Sequence, residues 1–292
     1  MERIETAFVL GSGGNRGAIQ AGALLALLQH GIVPQLLVGT SSGALNALQI
    51  AADPTVAGAE KLIATWYGAQ KKIFQRVGFF TAGWRLLTKS NSLSGNERLK
   101  EYVQENMPHG IRTFADFTAA QLRVIAANLN TGQTHVFGND PSETVLDGIM
   151  ASIAIPTYMP PWEYHGAQYV DGGIVSALPI MAALRHKPKK IYVIDISPVE
   201  DMKQPRVKGM IDIVNRIIGV MIQHQVIHEL EGIKTERVEA VYHISINTFT
   251  KTPLWNMSHV DEMVSSGQQI MAEFLNKPHP EGYVKYNAPQ HK

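Results

Sequence analysis

The apolar residues of this chain fall into short runs that alternate with longer stretches of helical character. Continuous apolar runs of about four to eight residues are typical of strands buried on both faces of a sheet. The predicted strands are Thr6–Leu10, 35–38, 122–129, 190–196 and 240–246, and Thr134–Phe137 is predicted to pair back on the third as a hairpin. The predicted helices are 18–30, closed by Gly31, then Val145–Ser152 and Val260–Leu275. Because strands alternate with helices, the pattern predicts an α/β fold around a mainly parallel sheet.

No repeat, low-complexity tract or linker divides the 292 residues, so we predict one domain over residues 1–292. Hydrophobic residues make up 45% and charged residues 17%, which supplies a sizeable core and excludes a disordered chain. Residues 277–292, rich in Pro, His and Lys, are predicted to form a loose tail.

Charge and cysteine content narrow the class of protein. The net charge of +1 disfavours a nucleic-acid partner, and the absence of Cys excludes disulfides, thiol catalysis and thiolate metal sites. The sequence contains neither a signal-peptide core nor the ~18–20 uninterrupted apolar residues of a transmembrane helix. We therefore expect a soluble, cytoplasmic protein.

The segment Gly39-Thr40-Ser41-Ser42-Gly43 lies between an apolar run and the helix-compatible residues 44–48. Strand, tight turn and helix in this order form the context of a nucleophile elbow, in which a strained turn presents a serine at a helix N-terminus. Ser41 is therefore the first candidate for a nucleophile. Since a G-x-S-x-G pattern also arises by chance in a chain with 25 glycines, the motif needs support from other segments.

A glycine-rich segment at residues 11–17 follows the first predicted strand and opens the first predicted helix. Backbone N–H groups in such a loop can cradle negative charge. A dinucleotide or phosphate site is disfavoured, because Arg16 stands where G-x-G-x-x-G needs its third glycine and no ribose-binding acidic residue follows at the required distance. The favoured interpretation is an oxyanion hole made by the N–H groups of Gly13 and Gly14 beside Ser41, and the alternative is a plain tight turn.

A nucleophilic serine needs a base. Of the eleven histidines, four follow Asp171 within the body of the chain, and each has an ordinary explanation as a surface or core residue: His186, His224, His228 and His243. The i,i+4 pair among them also suggests a metal site, but no acidic partner completes a zinc motif, so no metal is expected. Asp171 is the stronger candidate for the base, because two glycines follow it and leave its carboxylate uncovered, although an ordinary Asp-Gly turn would look the same.

Four segments, at residues 11–17, 39–43, 151–156 and 171–173, occur in the order seen in patatin-like phospholipases, and residues 4–197 resemble that family. The resemblance implies a three-layer α/β/α sandwich in which residues 4–197 form the catalytic core and 198–276 pack on it. It also implies a serine–aspartate dyad without a catalytic histidine. The nucleophile then corresponds to Ser41, the base to Asp171 and the oxyanion donors to Gly13 and Gly14. The supporting motif positions are Gly11, Arg16, Gly17, Gly39, Gly43, Gly172 and Gly173.

Two positions depart from the family pattern. Ser12 stands in a loop that normally starts Gly-Gly-Gly, and Ala177 stands where many members carry Asn. The Leu178-Pro179 pair that follows agrees with the family. Neither departure removes an atom of the implied dyad.

The resemblance implies a lipolytic acyl hydrolase, a serine esterase that cleaves carboxylic esters of lipids or phospholipids without a cofactor. Asp171 would take the proton of Ser41 as the serine attacks the ester, and the glycine-loop amides would hold the oxyanion. Two alternatives stay open at this point. One is an α/β-hydrolase with a Ser-His-Asp triad, and the other is a catalytically silent protein that binds lipid or a partner through the same fold.

Two segments have sequences that suit contact with lipid. Residues 71–87 interleave aromatic residues with Lys and Arg, which predicts a lid or a segment in peripheral contact with a membrane. Residues 210–222 are apolar on more than one face, which is more typical of a helix that covers a core than of a membrane anchor.

Overall fold

The computed structural model describes residues 3–72, 97–197, 207, 209–233, 238–250, 252 and 256–287. Its strands are β1 (Thr6–Leu10), β2 (Leu36–Thr40), β3 (Gln121–Asn128), β4 (Thr134–Phe137), β5 (Trp162–Tyr164), β6 (Ala167–Asp171), β7 (Lys190–Asp195), β8 (Ala240–Ser245) and β9 (Gly282–Asn287). They form one sheet in the order β5-β6-β3-β2-β1-β7-β8-β9, with β4 beside β3. The ladders from β3 through β2, β1, β7 and β8 to β9 are parallel, whereas β4, β5 and β6 pair antiparallel.

Helices cover both faces of this sheet. They are α1 (Gly17–Gln29), α2 (Ser42–Ala52), α3 (Val56–Lys72), α4 (Glu97–Glu105), α5 (Val145–Ser152), α6 (Gly173–Ser176), α7 (Ile180–Leu184), α8 (Met210–Gly232) and α9 (Val260–Leu275). Phe8 and Leu10 of β1 pack in a cluster with α1, α2 and α9, while Ala7 and Val9 face a second cluster with α7 and α8. The predicted three-layer α/β/α sandwich is therefore confirmed, and the double burial explains the unbroken apolar runs of its central strands.

Several predicted elements match the structure residue for residue, including β1, β4, α5 and α9. The first helix was expected over residues 18–30 and spans Gly17–Gln29. Gly31 closes it with φ 73°, in the left-handed region that glycine favours, and the N–H of Ile32 reaches back to the carbonyl of Leu27 at 3.0 Å. Gly31 therefore marks the C-terminal end of α1, as predicted from the sequence.

The prediction of a loose tail over residues 277–292 is wrong for residues 282–287. These residues form β9, which pairs in parallel with β8 along its whole length. The ring of Tyr286 packs 5.4 Å from the ring of Phe274, so one face of the strand is held by α9. Because β9 alternates half-buried and exposed residues at an edge, it lacks the unbroken apolar run by which the central strands were found.

A polar cluster joins the last three strands of the sheet, with Asp195 and His243 buried and Tyr283 exposed. His243 Nε2 lies 2.9 Å from Asp195 Oδ2, and His243 Nδ1 lies 2.9 Å from the hydroxyl of Tyr283. Burial alone would raise the pKa of Asp195, but the hydrogen bond and charge of His243, together with Ser197, hold that pKa below its ordinary value. His243 thus acts as a satisfied core histidine that compensates a buried carboxylate.

We expect His243→Phe to lower the free energy of unfolding by about 3–5 kcal/mol, because it leaves the buried Asp195 carboxylate uncompensated. Tyr283→Phe is the matched control, since it removes one hydrogen bond from the same ring and should cost only about 1 kcal/mol. Urea unfolding at neutral pH measures both. Equal losses in the two variants would contradict a charge-compensating role for His243.

Candidate active site

The turn after β2 holds Ser41 in a strained backbone conformation. Ser41 has φ 58° and ψ −124°, and such a conformation costs a non-glycine residue on the order of 1–3 kcal/mol. β2 runs to Thr40 rather than ending at residue 38 as predicted, and α2 starts at Ser42, so Ser41 alone forms the turn. The hydroxyl of Thr40 donates to the carbonyl of Ser176 at 2.8 Å and ties the strand end to α6. This is the strand–serine–helix geometry of a nucleophile elbow.

Strand register brings Ser41 and Asp171 to the same end of the sheet. β2 and β6 flank β3 on its two sides. Thr40 is level with Ile125 of β3, and Asp171 is level with Ala126, the next residue along. Residues 130 positions apart in the sequence thus become neighbours through one intervening strand.

The side chains of Ser41 and Asp171 form a direct hydrogen bond. Ser41 Oγ donates to Asp171 Oδ2 at 2.5 Å, and the two residues are only 5% and 6% exposed. Asp171 Oδ1 accepts the N–H of Gly173 at 2.7 Å, which fixes the rotation of the carboxylate. Burial raises the pKa of Asp171 to about 6, although the hydrogen bonds from Ser41 and Gly173 act in the opposite direction. A carboxylate with this pKa is a stronger base than an exposed aspartate.

The glycine loop at residues 11–17 follows β1 and contains Gly13 and Gly14. Gly14 begins a 3-10 turn, Gly14–Arg16. Its φ of 59° lies in the left-handed region that favours glycine. Within the described residues, the N–H groups of Gly13 and Gly14 have no hydrogen-bond acceptor. Gly14 lines the same cavity as Ser41. N–H groups without an acceptor, in a loop that reaches the cavity at Ser41, are compatible with the predicted oxyanion hole.

Close backbone packing explains the glycine of the first α2 turn. A Cβ at Gly43 would lie 2.2 Å from the carbonyl oxygen of Leu10, so only glycine lets α2 approach the end of β1. The other motif positions also lie at the ends of β1, β2 and β6 or in the first turns of the helices that follow: Gly11, Arg16, Gly17, Gly39, Gly172 and Gly173.

The two positions that depart from the family pattern contact each other. Ser12 donates its N–H to the carbonyl of Ala177 at 2.8 Å. A Cβ at Gly173 would lie 3.4 Å from the Ser12 hydroxyl and 3.0 Å from Asp171 Oδ1. The loop and the segment after Asp171 are therefore tied together through backbone atoms, and this contact does not depend on a glycine at position 12.

An apolar cavity opens beside Ser41. About 120 Å³ of it is open to groups the size of a water molecule. α2, α3, α4 and the segment after α5 form its walls, and the apolar lining includes Leu45, Leu62, Trp66, Val103, Ile153 and Met159. Such walls suit a hydrocarbon chain whose reactive end lies at Ser41.

A buried polar network that includes two cavity-lining residues, Asn46 and Trp66, was not predicted from the sequence. Trp66 Nε1 donates to Asn46 Oδ1 at 2.8 Å. Asn46 Nδ2 in turn donates to the carbonyl of Gly17 at 2.9 Å and to Gln20 Oε1 at 3.0 Å. Because these polar atoms satisfy one another, α2 and α3 can pack on α1 and still line the cavity with hydrocarbon surface.

The four candidate histidines lie elsewhere. No hydrogen bond in the described part of the chain joins Ser41 to a histidine. His243 is bound in the cluster with Asp195, His186 follows α7, and the pair His224 and His228 lies on α8. Among the described residues, no group of three or more His, Asp or Glu side chains could hold a metal ion. The geometry favours Asp171 as the partner of Ser41.

Of the two segments predicted to suit lipid contact, the structure describes mainly the second. Most of residues 71–87 lie outside the described residues, which stop at 72 and resume at 97. On α8, Ile213, Ile217 and Met221 are 46%, 54% and 41% exposed, while Val226 and Leu230 pack on the core. A core-covering role thus fits the second half of α8 better than residues 210–222. No helix in the described ranges is long and apolar enough to cross a bilayer.

A family model described as patatin-like phospholipase matches residues 8–184. The chain belongs to the patatin-like phospholipase family. The matched region contains the glycine loop, the elbow, residues 151–156 and Asp171, so the family match covers every segment of the candidate site.

Relatives of this patatin-like chain include much longer proteins. A lysophospholipase named NTE1 from Meyerozyma guilliermondii is 30% identical over 203 residues, which cover 66% of this chain but 13% of the yeast protein. The uncharacterized protein YqhO of Bacillus subtilis is 27% identical over 213 residues, covering 66% of this chain and 71% of YqhO. Among solved structures, ExoU in its heterodimer with SpcU from Pseudomonas aeruginosa is 18% identical with a TM-score of 0.39, over 79% of this chain and 52% of that chain.

Proposed function

We propose that this protein is a lipolytic acyl hydrolase that cleaves carboxylic esters of lipids with Ser41 as nucleophile and Asp171 as base. The observation that carries the proposal is the hydrogen bond from Ser41 Oγ to the buried Asp171 Oδ2 beside an apolar cavity. Membership of the patatin-like phospholipase family supports the reaction class. The name lysophospholipase, carried by a yeast relative, supports a lipid substrate.

The first half of the reaction forms an acyl-enzyme. Asp171 Oδ2 accepts the proton of Ser41 Oγ as that oxygen attacks the ester carbonyl carbon. The N–H groups of Gly13 and Gly14 donate to the oxyanion that develops on the carbonyl oxygen. When the tetrahedral intermediate collapses, the ester C–O bond breaks and the leaving alcohol takes the proton held by Asp171.

The second half releases the acyl group with the same residues. Asp171 accepts a proton from water as the water oxygen attacks the acyl-serine carbonyl. The second tetrahedral intermediate collapses to a carboxylic acid, and the proton returns to Ser41 Oγ. The apolar cavity holds the acyl chain through both halves and keeps bulk water away from the dyad.

The pH dependence of this reaction should follow the ionisation of Asp171. The base must be ionised, and burial raises its pKa to about 6, so kcat/KM should rise about tenfold per pH unit below pH ~6 and level off above it. Hydrolysis of a soluble chromogenic ester over about pH 4.5–8.5 measures the profile, with circular dichroism as the control for folding. A midpoint near pH 4, typical of an exposed aspartate, would contradict the role of burial.

Release of free fatty acid from a substrate panel tests the proposal. The panel should contain phospholipids, lysophospholipids, acylglycerols and simple fatty-acyl esters of increasing chain length. We expect turnover of esters with a hydrocarbon chain long enough to fill the cavity, and weaker turnover of the acetyl ester, because apolar contacts stabilise the bound chain. No turnover of any member would contradict the proposed function.

We further propose that residues 71–87 bring the protein into peripheral contact with a lipid surface. The support is the interleaving of aromatic and basic residues in that segment. Co-sedimentation with neutral and anionic vesicles tests it. The double variant Phe79→Ser, Phe80→Ser should bind less than wild type. Binding that is unchanged in this variant would contradict the proposal.

A further inference from the structure

The segment that starts at Ser152 contacts both residues of the proposed dyad. α5 ends at Ser152, and the chain then passes through Ile153 and Ala154 toward the cavity wall. The family resemblance singles out residues 151–156, but neither the proton transfers nor the oxyanion hole of the proposed reaction involves this segment. Its contacts with Ser41 and Asp171 indicate a role in positioning them.

Ser152 satisfies the backbone of the nucleophile. Its Oγ accepts the N–H of Ser41 at 2.9 Å, and the Ser152 side chain is fully buried. Ser41 is held at φ 58°, a strained conformation that persists only where its surroundings fix it. Without Ser152 Oγ, the buried Ser41 N–H loses its acceptor, and the elbow loses a contact that holds it in this conformation.

The same segment holds the backbone of the base. The carbonyl of Ala154 accepts the N–H of Asp171 at 2.9 Å. Ile153, between the two contacts, is 5% exposed and lines the cavity. Three consecutive residues therefore span the nucleophile, the acyl-chain wall and the base.

We propose that Ser152 is a positioning residue, which keeps Ser41 Oγ at hydrogen-bonding distance from Asp171 by fixing the backbone of the elbow. The inference rests on the proposed function, and it adds a residue that touches neither the ester nor the transferred proton. Ser152 acts through the Ser41 N–H, and Ala154 anchors the opposite half of the pair. A displacement of about 1 Å at such a site is enough to lower turnover on the order of 100-fold.

Ser152→Ala should lower kcat about 10–100-fold with KM changed by less than about threefold, because alignment in the transition state is lost while the cavity is kept. The rate of labelling of Ser41 by a fluorophosphonate should fall in proportion. The acid limb of the kcat/KM profile should also move to higher pH, since the hydrogen bond from Ser41 lowers the pKa of Asp171. Ser152→Cys, which offers a weaker acceptor of similar shape, should lie between wild type and Ser152→Ala.

Thr144→Ala is the matched control at the other end of α5. It removes the side-chain hydrogen bond from Thr144 to Asp147 and should cost about 1 kcal/mol of stability at the same helix without changing kcat or labelling. Unchanged labelling and kcat in Ser152→Ala, or an equal loss in Thr144→Ala, would overturn the inference. A wild-type protein that neither hydrolyses esters nor labels at Ser41 would instead contradict the proposed function itself.

Discussion

Ser41→Ala should abolish ester hydrolysis, with a loss in kcat/KM of at least about 10³-fold. The substitution removes only the attacking oxygen, while the cavity and the glycine-loop amides stay in place. Release of fatty acid from the best substrate of the panel measures the loss, and the melting temperature measures the fold.

Ser41→Gly separates the chemistry from backbone strain. Glycine adopts φ 58° without the cost that Ser or Ala bears there, so this variant should be as inactive as Ser41→Ala and yet more stable. Residual turnover within about tenfold of wild type in either variant would rule out Ser41 as the nucleophile.

Asp171→Asn should be nearly as inactive as Ser41→Ala, with a loss in kcat of at least about 10³-fold, because asparagine accepts no proton from Ser41. The same variant should be more stable than wild type at neutral pH. The folded pKa of about 6 lies above the ordinary value of 3.8, so ionisation of Asp171 costs the folded state stability as pH rises through that interval. At neutral pH this ionisation lowers the free energy of unfolding of wild type on the order of 2–3 kcal/mol, and the neutral asparagine avoids that loss.

Urea unfolding of Asp171→Asn and wild type at about pH 4 and pH 8 tests the linked change in stability. The variant should exceed wild type in free energy of unfolding only slightly at the lower pH, where Asp171 is protonated in the folded protein. The difference should be larger at the higher pH. A variant with full hydrolytic rate would point to a histidine base. A variant with the same advantage at both pH values would contradict the buried ionisation.

The sequence was sufficient to single out the residues of the proposed site, because each stands beside a local signal. The elbow around Ser41 and the loop with Gly13 and Gly14 follow apolar runs, and those runs are the central strands β2 and β1. Asp171 stands before two glycines at the end of β6. Parallel strands present their carboxyl ends at one edge of a sheet, so the loops after β1 and β2 meet there.

The supporting contacts could not be found in the same way. The hydrogen bond between Ser152 and the Ser41 N–H joins residues 111 positions apart and depends on where α5 ends above the sheet. The pairing of Asp171 with Ala126 requires β6 to run antiparallel to β3, whereas the alternating pattern predicts parallel neighbours. Edge strand β9 was missed because half of its residues face outward. These features follow from tertiary packing, which no local pattern records.

Reaction with a fluorophosphonate, followed by peptide mass mapping, tests the central claim most directly. A dyad of Ser41 and Asp171 predicts one adduct on Ser41, absent from Ser41→Ala and at least about 100-fold slower in Asp171→Asn, because the reagent needs an activated serine. The result that would contradict the claim is an unlabelled wild-type protein, as a catalytically silent lipid-binding protein would give, or an adduct on a different serine.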